Sequence, residues 1–287
     1  MNVGVIGAGA WGTALAIVSA RGGANVVLWS YDGEYKIFDG VTMSENIRVT
    51  RDMHDLAECD AWLVVTPAAF FRATIKNAKE FYNNQPIIIC TKGAESTTGD
   101  FMSEIIRAEM PSVSDFGVLS GPQFAAEVAR GVPTGSTLAG SSRVIDYGTK
   151  ILNKLFISPS DDIIGAEICG VGKNAVALIC GYNSVVAGGE NERAMIFTRA
   201  WNEVMEIGMA TGAKMRTFLD LCGIGDLYLS ATSETSRNFA GGMAIANGNP
   251  PAGTVEGIFA MNGLIRRAKK IGISTPILIE MQQKMKL

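Results

Sequence analysis

The chain has 287 residues, is 47% hydrophobic and carries 25 basic against 28 acidic side chains, a net charge of −3. That balance offers no basic stripe for nucleic acid, and no uninterrupted apolar run approaches the roughly 20 residues that span a bilayer. Met1-Asn2 leads straight into a strand-like run with no room for a signal peptide, so cytoplasmic residence without membrane contact is expected.

Val3-Gly4-Val5-Ile6 reads as a buried strand and runs into Gly7-Ala8-Gly9-Ala10-Trp11-Gly12. Three glycines at this spacing cradle a pyrophosphate: Gly7 permits the tight turn, Gly9 lets backbone approach the phosphates, and Gly12 lets the next helix pack on the strand. The N-terminus of the helix that follows offers free N–H groups to the anion. Thr13 to Ala20 then reads as a helix stopped by Gly22-Gly23, and Val26-Val27-Leu28-Trp29 as a second strand. Ser30 and Tyr31 take the strand end. Asp32 and Glu34 follow, near where an acid accepts hydrogen bonds from an adenosine ribose, so either NAD or NADP is admitted as cofactor.

The one histidine, His54, lies in the polar stretch Asp52-Met53-His54-Asp55 and reads as a solvated residue outside the chemistry. The five cysteines have neither zinc-site spacing nor disulfide density; they read as buried thiols, and no metal is expected. Further strands are predicted at 61–65, 86–90, 116–119 and 136–139. The first two end at Thr66-Pro67 and Thr91-Lys92-Gly93, and the third at Ser120-Gly121-Pro122. In a parallel sheet these carboxyl ends form the ligand crevice, which places Pro67, Ala68, Phe70, Thr91 and Lys92 toward it. Past about residue 165 the pattern turns helical. Helices are predicted over 173–186 and 192–210, broken by Gly188-Gly189, with another after Thr254. The expected fold is α/β: a Rossmann-type dinucleotide-binding domain over 1–165, then an all-helical substrate-binding and catalytic domain over 166–287, with a crevice shared between them.

Four clusters can carry chemistry. Lys92, at a strand's carboxyl end, can reach an anion, or be a loop charge. Lys173 and Asn174, after Gly170-Val171-Gly172, are read at the first turn of an apolar helix. There the helix dipole and partial burial would bring the ammonium toward the working range of a proton donor; the plain alternative is a snorkelling lysine. Asp226, on the glycine turn Cys222-Gly223-Ile224-Gly225, is either a site acid or a turn former. Thr235-Ser236-Arg237-Asn238 offers a hydroxyl, a guanidinium and an amide to a phosphate, or is an exposed helix start.

Taken together, these segments resemble the bacterial NAD(P)-dependent glycerol-3-phosphate dehydrogenase family over nearly the whole chain. The likeness rests on Gly7-Ala8-Gly9-Ala10-Trp11-Gly12-Thr13-Ala14-Leu15, Thr91-Lys92-Gly93-Ala94-Glu95, Leu119-Ser120-Gly121-Pro122 with Phe124-Ala125, Gly172-Lys173-Asn174, Gly225-Asp226-Leu227, Ser236-Arg237-Asn238 and Val255-Glu256-Gly257. Gln123 departs from it, standing where a small hydroxyl residue is usual, and the 35–53 segment is short. The resemblance implies Lys173 as proton donor or acceptor with Asp226 as its partner in the substrate pocket. Lys92, Gly121, Ser236, Arg237 and Asn238 would join them in holding substrate. Gly7, Gly9, Ala10, Trp11, Gly12, Tyr31, Lys92, Ala125, Arg237 and Glu256 would hold the dinucleotide. It implies dihydroxyacetone phosphate and sn-glycerol 3-phosphate as the substrate pair, a supply of glycerol 3-phosphate to phospholipid synthesis, and a homodimer. The rival readings are a β-hydroxyacid dehydrogenase of similar architecture and a non-catalytic dinucleotide sensor.

Overall fold

The computed structural model describes all 287 residues, and the chain divides into two compact units. The first comprises Met1–Lys92 and Met102–Ile163; the second comprises Gly93–Phe101 and Ile164–Leu287.

In the first unit β1 (Asn2–Ile6) leads into α1 (Ala10–Arg21), followed by β2 (Asn25–Trp29), β3 (Ile47–Thr50), β4 (Ala61–Val64), α2 (Ala68–Ala78), β5 (Ile87–Ile89), α3 (Met102–Glu109), β6 (Phe116–Ser120), α4 (Ala125–Arg130), β7 (Gly135–Gly140), α5 (Ser142–Ile151) and β8 (Phe156–Ser160). The eight strands form one sheet in the order β3-β2-β1-β4-β5-β6-β7-β8. All neighbours are parallel except β6 and β7, where Leu119 faces Leu138 in antiparallel register. The strand order reverses direction at β1 and β4, which pair Ile6 with Val64, so the two loops leaving them diverge and open a crevice. β1, β4, β5 and β6 are buried nearly throughout because helices cover both sheet faces.

Two of these strands carry no legible pattern in the sequence. β3 is four residues long with Arg48 in its middle, and β8 contains Pro159 and is half exposed; both are edge strands. His54 is exposed in a 3-10 turn over Met53–Leu56, as its polar surroundings suggest. All five thiols are free, and burial pushes Cys59 up to about 11 and Cys180 up to about 12, so both stay protonated at neutral pH.

The second unit is built from α6 (Ile163–Val186), α7 (Glu190–Ala210), α8 (Met215–Phe218), α9 (Asp226–Ala231), α10 (Arg237–Ala246), α11 (Glu256–Ile271) and α12 (Pro276–Lys284). α6 starts well before the residues expected to open it. At 24 residues it is long and apolar enough to cross a membrane, but 83% of its apolar window is buried, making it the core helix of this unit. Its neighbours approach closely where it lacks side chains. A Cβ on Gly172 would lie 2.2 Å from Val204 of α7, and one on Gly181 would lie 1.9 Å from the Phe239 carbonyl oxygen of α10. The segment Gly93–Phe101 belongs to this unit through contacts with α11: the Arg267 guanidinium stacks 4.1 Å over the Phe101 ring, and Ala94 lies beside Gly263.

α12 is fastened by a buried carboxylate on α7. Glu203 accepts the Ile277 and Leu278 N–H groups at 2.7 and 2.9 Å, two donors that a helix start would otherwise leave unmatched. Glu203→Ala therefore lowers the unfolding free energy measured by urea denaturation, by roughly 2–4 kcal/mol for two orphaned buried donors. Burial raises the Glu203 carboxyl above its ordinary 4.5, so the native state binds this proton more tightly than the unfolded chain. The associated stability is complete below pH 4.5 and is lost as pH climbs through the native value. Urea melts at acid and neutral pH should accordingly show Glu203→Gln gaining on the wild type as pH rises.

Candidate active site

The first cluster lies at the carboxyl ends of the parallel strands. Gly7 adopts φ +114°, a left-handed conformation that turns the chain between β1 and α1, and its N–H donates to the Trp29 carbonyl at the end of β2. A Cβ on Gly12 would sit 1.8 Å from the Gly7 carbonyl oxygen, so only glycine lets α1 begin here. Gly9 differs from both. Its φ of −64° is open to any residue, and a Cβ there would meet nothing within 4 Å. The bare backbone at Gly9 therefore faces open space in front of α1, whose first turn carries no acidic residue and no side-chain cap. These features fit a dinucleotide pyrophosphate. Ala10 is exposed at the helix start and Tyr31 is 84% exposed just past β2.

Buried polar atoms at this rim lack partners within the protein. Trp11 Nε1, Thr66 Oγ1, Ser120 Oγ and Gln123 Oε1 are all inaccessible and unbonded, and each stands on the first turn of α1 or just at or beyond a strand's carboxyl end. Such groups cost free energy unless something polar arrives to meet them. Around them the strand ends are cross-linked. Thr91 Oγ1 donates to the Thr66 carbonyl at 2.7 Å, and Lys92 Nζ donates to the Gly121 carbonyl at 2.8 Å. Gly121 has a packing role as well, because a Cβ there would lie 2.8 Å from the Ser136 backbone. Gln123 Nε2 reaches across to donate to Ser136 Oγ, which fixes the amide. Ala125 opens α4 and packs against the core shared with α1.

The second cluster lies wholly in the helical unit. Lys173 is in the interior of α6, not at its first turn, so the dipole argument made from the sequence does not apply: the free N–H groups of that helix lie well upstream. The charge that does act on it is a carboxylate. Lys173 Nζ lies 3.2 Å from Asp226 Oδ1, with the two side chains 12% and 1% exposed. Nζ also donates to Ser230 Oγ at 2.9 Å, and that hydroxyl is 3.3 Å from Asp226 Oδ1. Asp226 is the first residue of α9, directly after a π-helical turn over Leu221–Gly225, so it sits within helical backbone rather than in a loop. One turn on, Ser230 shares its face, a partner the sequence reading missed although the i, i+4 spacing from Asp226 signals it.

Ser236 caps α10 by accepting the Phe239 N–H and is buried, while Arg237 follows it exposed at the helix start. Asn238 is committed to the fold. Its Nδ2 donates to Asn174 Oδ1 at 2.7 Å and its Oδ1 accepts the Gly257 N–H at 2.8 Å, leaving one N–H for any ligand. Asn174 in turn donates to Glu256 Oε2 at 3.4 Å, so this amide network joins α6, α10 and the start of α11. Lys173, Asp226, Asn174, Asn238 and Glu256 are thus held in one unit by direct bonds; Gly7, Gly9, Ala10, Trp11, Gly12, Lys92 and Gly121 are gathered in the other.

Comparison with known proteins agrees with this division. The profile for the NAD-dependent glycerol-3-phosphate dehydrogenase N-terminus matches residues 2–144, and that for the C-terminus of the same enzymes matches 162–285. A glycerol-3-phosphate dehydrogenase [NAD(P)+] of Parvibaculum lavamentivorans is 36% identical, covering 96% of this chain and 89% of its own length. One of Afipia carboxidovorans is 39% identical over the same shares. The crystal structure of the Coxiella burnetii glycerol-3-phosphate dehydrogenase superposes with a TM-score of 0.92 at 29% identity, covering 99% of this chain and 94% of that one.

Removing one member of the buried ion pair strands the other charge. Asp226→Leu should cost roughly 3–5 kcal/mol of unfolding free energy, whereas the double variant Lys173→Met/Asp226→Leu should recover most of it, as a chemical-denaturation cycle over the four proteins can measure.

Proposed function

Because the chain belongs to the NAD-dependent glycerol-3-phosphate dehydrogenase family, we propose that it catalyses reversible hydride transfer between NAD(P)H and the central carbon of dihydroxyacetone phosphate, giving sn-glycerol 3-phosphate. The observation that carries this reading is the buried Lys173–Asp226–Ser230 cluster. A nicotinamide, when bound, supplies or takes up the hydride.

As the carbonyl is reduced, negative charge grows on its oxygen and must be met by a proton. Lys173 is the donor: a carboxylate and a hydroxyl fix where its Nζ stands, so the ammonium proton is delivered from one defined point. Asp226 balances the ammonium's charge in the buried site and Ser230 restricts its direction. In the oxidative direction the neutral amine takes the hydroxyl proton back. Arg237, exposed on the first turn of α10, offers a planar pair of donors to the substrate phosphate, with free N–H groups of the helix start beside it. Binding that remote anion helps hold the reacting carbon in place. Asn238, through Asn174 and Gly257, fixes where α10 begins and so where Arg237 stands.

At the other cluster, the turn around Gly9 and the start of α1 receive the pyrophosphate, and the unpartnered Thr66, Ser120 and Gln123 atoms give the bound dinucleotide polar contacts in an otherwise dry rim. Lys92 serves substrate and cofactor from its anchor on the Gly121 carbonyl. The product is the backbone of glycerophospholipids, and the reading carries with it a role in their synthesis, in the cytoplasm and as a homodimer.

Following NADH or NADPH absorbance with dihydroxyacetone phosphate tests the reaction directly. Lys173→Ala should lose roughly 10²–10⁴-fold in kcat while binding NADH as the parent does. Arg237→Ala should raise KM for the phosphorylated substrate by roughly tenfold or more and leave the feeble turnover of unphosphorylated dihydroxyacetone unchanged. Equal activity of Lys173→Ala and wild type would refute the assignment.

A further inference from the structure

We propose that Asp32 makes this chain select NAD over NADP, by accepting a hydrogen bond from the 2′-hydroxyl of the adenosine ribose. The inference rests on the dinucleotide reading above and adds a choice between two cofactors that the relatives' shared name leaves open.

Position comes first. β2 pairs with β1 in register Ile6 to Trp29, and the Gly7 N–H donates to the Trp29 carbonyl, so the end of β2 stands directly beside the glycine turn. Asp32 follows Gly12 by about 20 residues, the separation at which a carboxylate meets the ribose of a dinucleotide lying on such a turn.

The carboxylate is also prepared for one kind of partner. Its Oδ1 accepts the Glu34 N–H at 3.0 Å and lies 2.9 Å from Ser30 Oγ, a buried hydroxyl whose single proton is shared with the Glu34 carbonyl at 2.6 Å. These contacts fix the side chain and hold its carboxyl below the usual 3.8, so it is ionised at neutral pH. Both fall on Oδ1, and the Asp32 N–H also meets the carboxyl. The residue is exposed to solvent. An anchored, ionised and exposed carboxylate wants a donor. A ribose hydroxyl has a proton to give, whereas a 2′-phosphate brings only acceptor oxygens and about two negative charges.

The other charges at this turn set the size of the preference. Glu34 adds a second carboxylate. Against them stands Arg51, just past β3, with its Cδ 3.3 Å from where a Gly33 side chain would begin; its effect on Asp32 is the smallest of those acting there. Arg51 is the residue that would read a 2′-phosphate if this inference were wrong. Asp32 is exposed, so its repulsion of a phosphate is screened by salt and discrimination should shrink as ionic strength rises.

The experiment is equilibrium binding of NADH and NADPH to the full-length protein without substrate, read by fluorescence of the bound nicotinamide. NADH should bind roughly tenfold or more tightly than NADPH at low salt, the gap narrowing in about 0.5 M salt. Asp32→Asn and Asp32→Ser should each bring the two affinities together while leaving the melting temperature near that of the parent. NADPH binding as well as NADH, or a ratio unmoved by both substitutions, would overturn the inference; if NADPH then weakened selectively in Arg51→Ala, the guanidinium would be the reader instead. Failure to bind either dinucleotide would overturn the dinucleotide reading itself.

Discussion

An ammonium and a carboxylate 3.2 Å apart inside a helical unit set terms that much of that unit obeys. Neither charge is tolerable alone at this burial, because the desolvation of an isolated ion exceeds what ordinary packing contributes. The chain must therefore bring Lys173 of α6 to Asp226 of α9 across more than fifty residues of sequence, and hold them there. The glycines of α6 allow this. Close approach at Gly172 and Gly181 seats α7 and α10 against the core helix, and the π-helical turn at Leu221–Gly225 delivers Asp226 to the start of α9 with its carboxylate turned inward. Ser230 then takes one of the ammonium's protons, so the cluster is matched in hydrogen bonds as well as in charge.

The sheet unit follows the opposite logic. Its strand ends are cross-linked by Thr91 and Lys92, yet the same rim keeps buried polar atoms unmatched at Trp11, Thr66, Ser120 and Gln123. The helical cluster is satisfied by itself, as suits the proton release proposed for it; the sheet rim is unsatisfied by itself, as suits the ligand proposed for it. Gly9 shows the same thing in the backbone: neither its conformation nor its neighbours call for glycine, which leaves the open space in front of it to a ligand.

Much of this was legible in the amino-acid order because local physics determined it. The apolar run Val3–Ile6 followed by three spaced glycines can form little else, and β4, β5 and β6 announce themselves as short apolar runs ended by Pro, Lys-Gly and Gly-Pro. Edge strands were not legible. β3 and β8 are paired on one side only, so their residues need not be apolar, and Arg48 and Pro159 hide them. The start of α6 was misread for a related reason: Gly170 and Gly172 look like a helix break, whereas Gly172 is where Val204 packs. That error carried the lysine's electrostatics with it, replacing an ion pair with a helix terminus. Ser230 and the Asn174–Asn238 link depend on which helices meet, and no periodicity encodes that.

A crystal structure of the protein with NAD and sn-glycerol 3-phosphate bound tests the central claim most directly. The account predicts Lys173 Nζ within roughly 3.2 Å of the secondary hydroxyl oxygen, still bonded to Asp226. A hydroxyl met by some other titratable group, with the Lys173 ammonium turned away from the substrate, would contradict it.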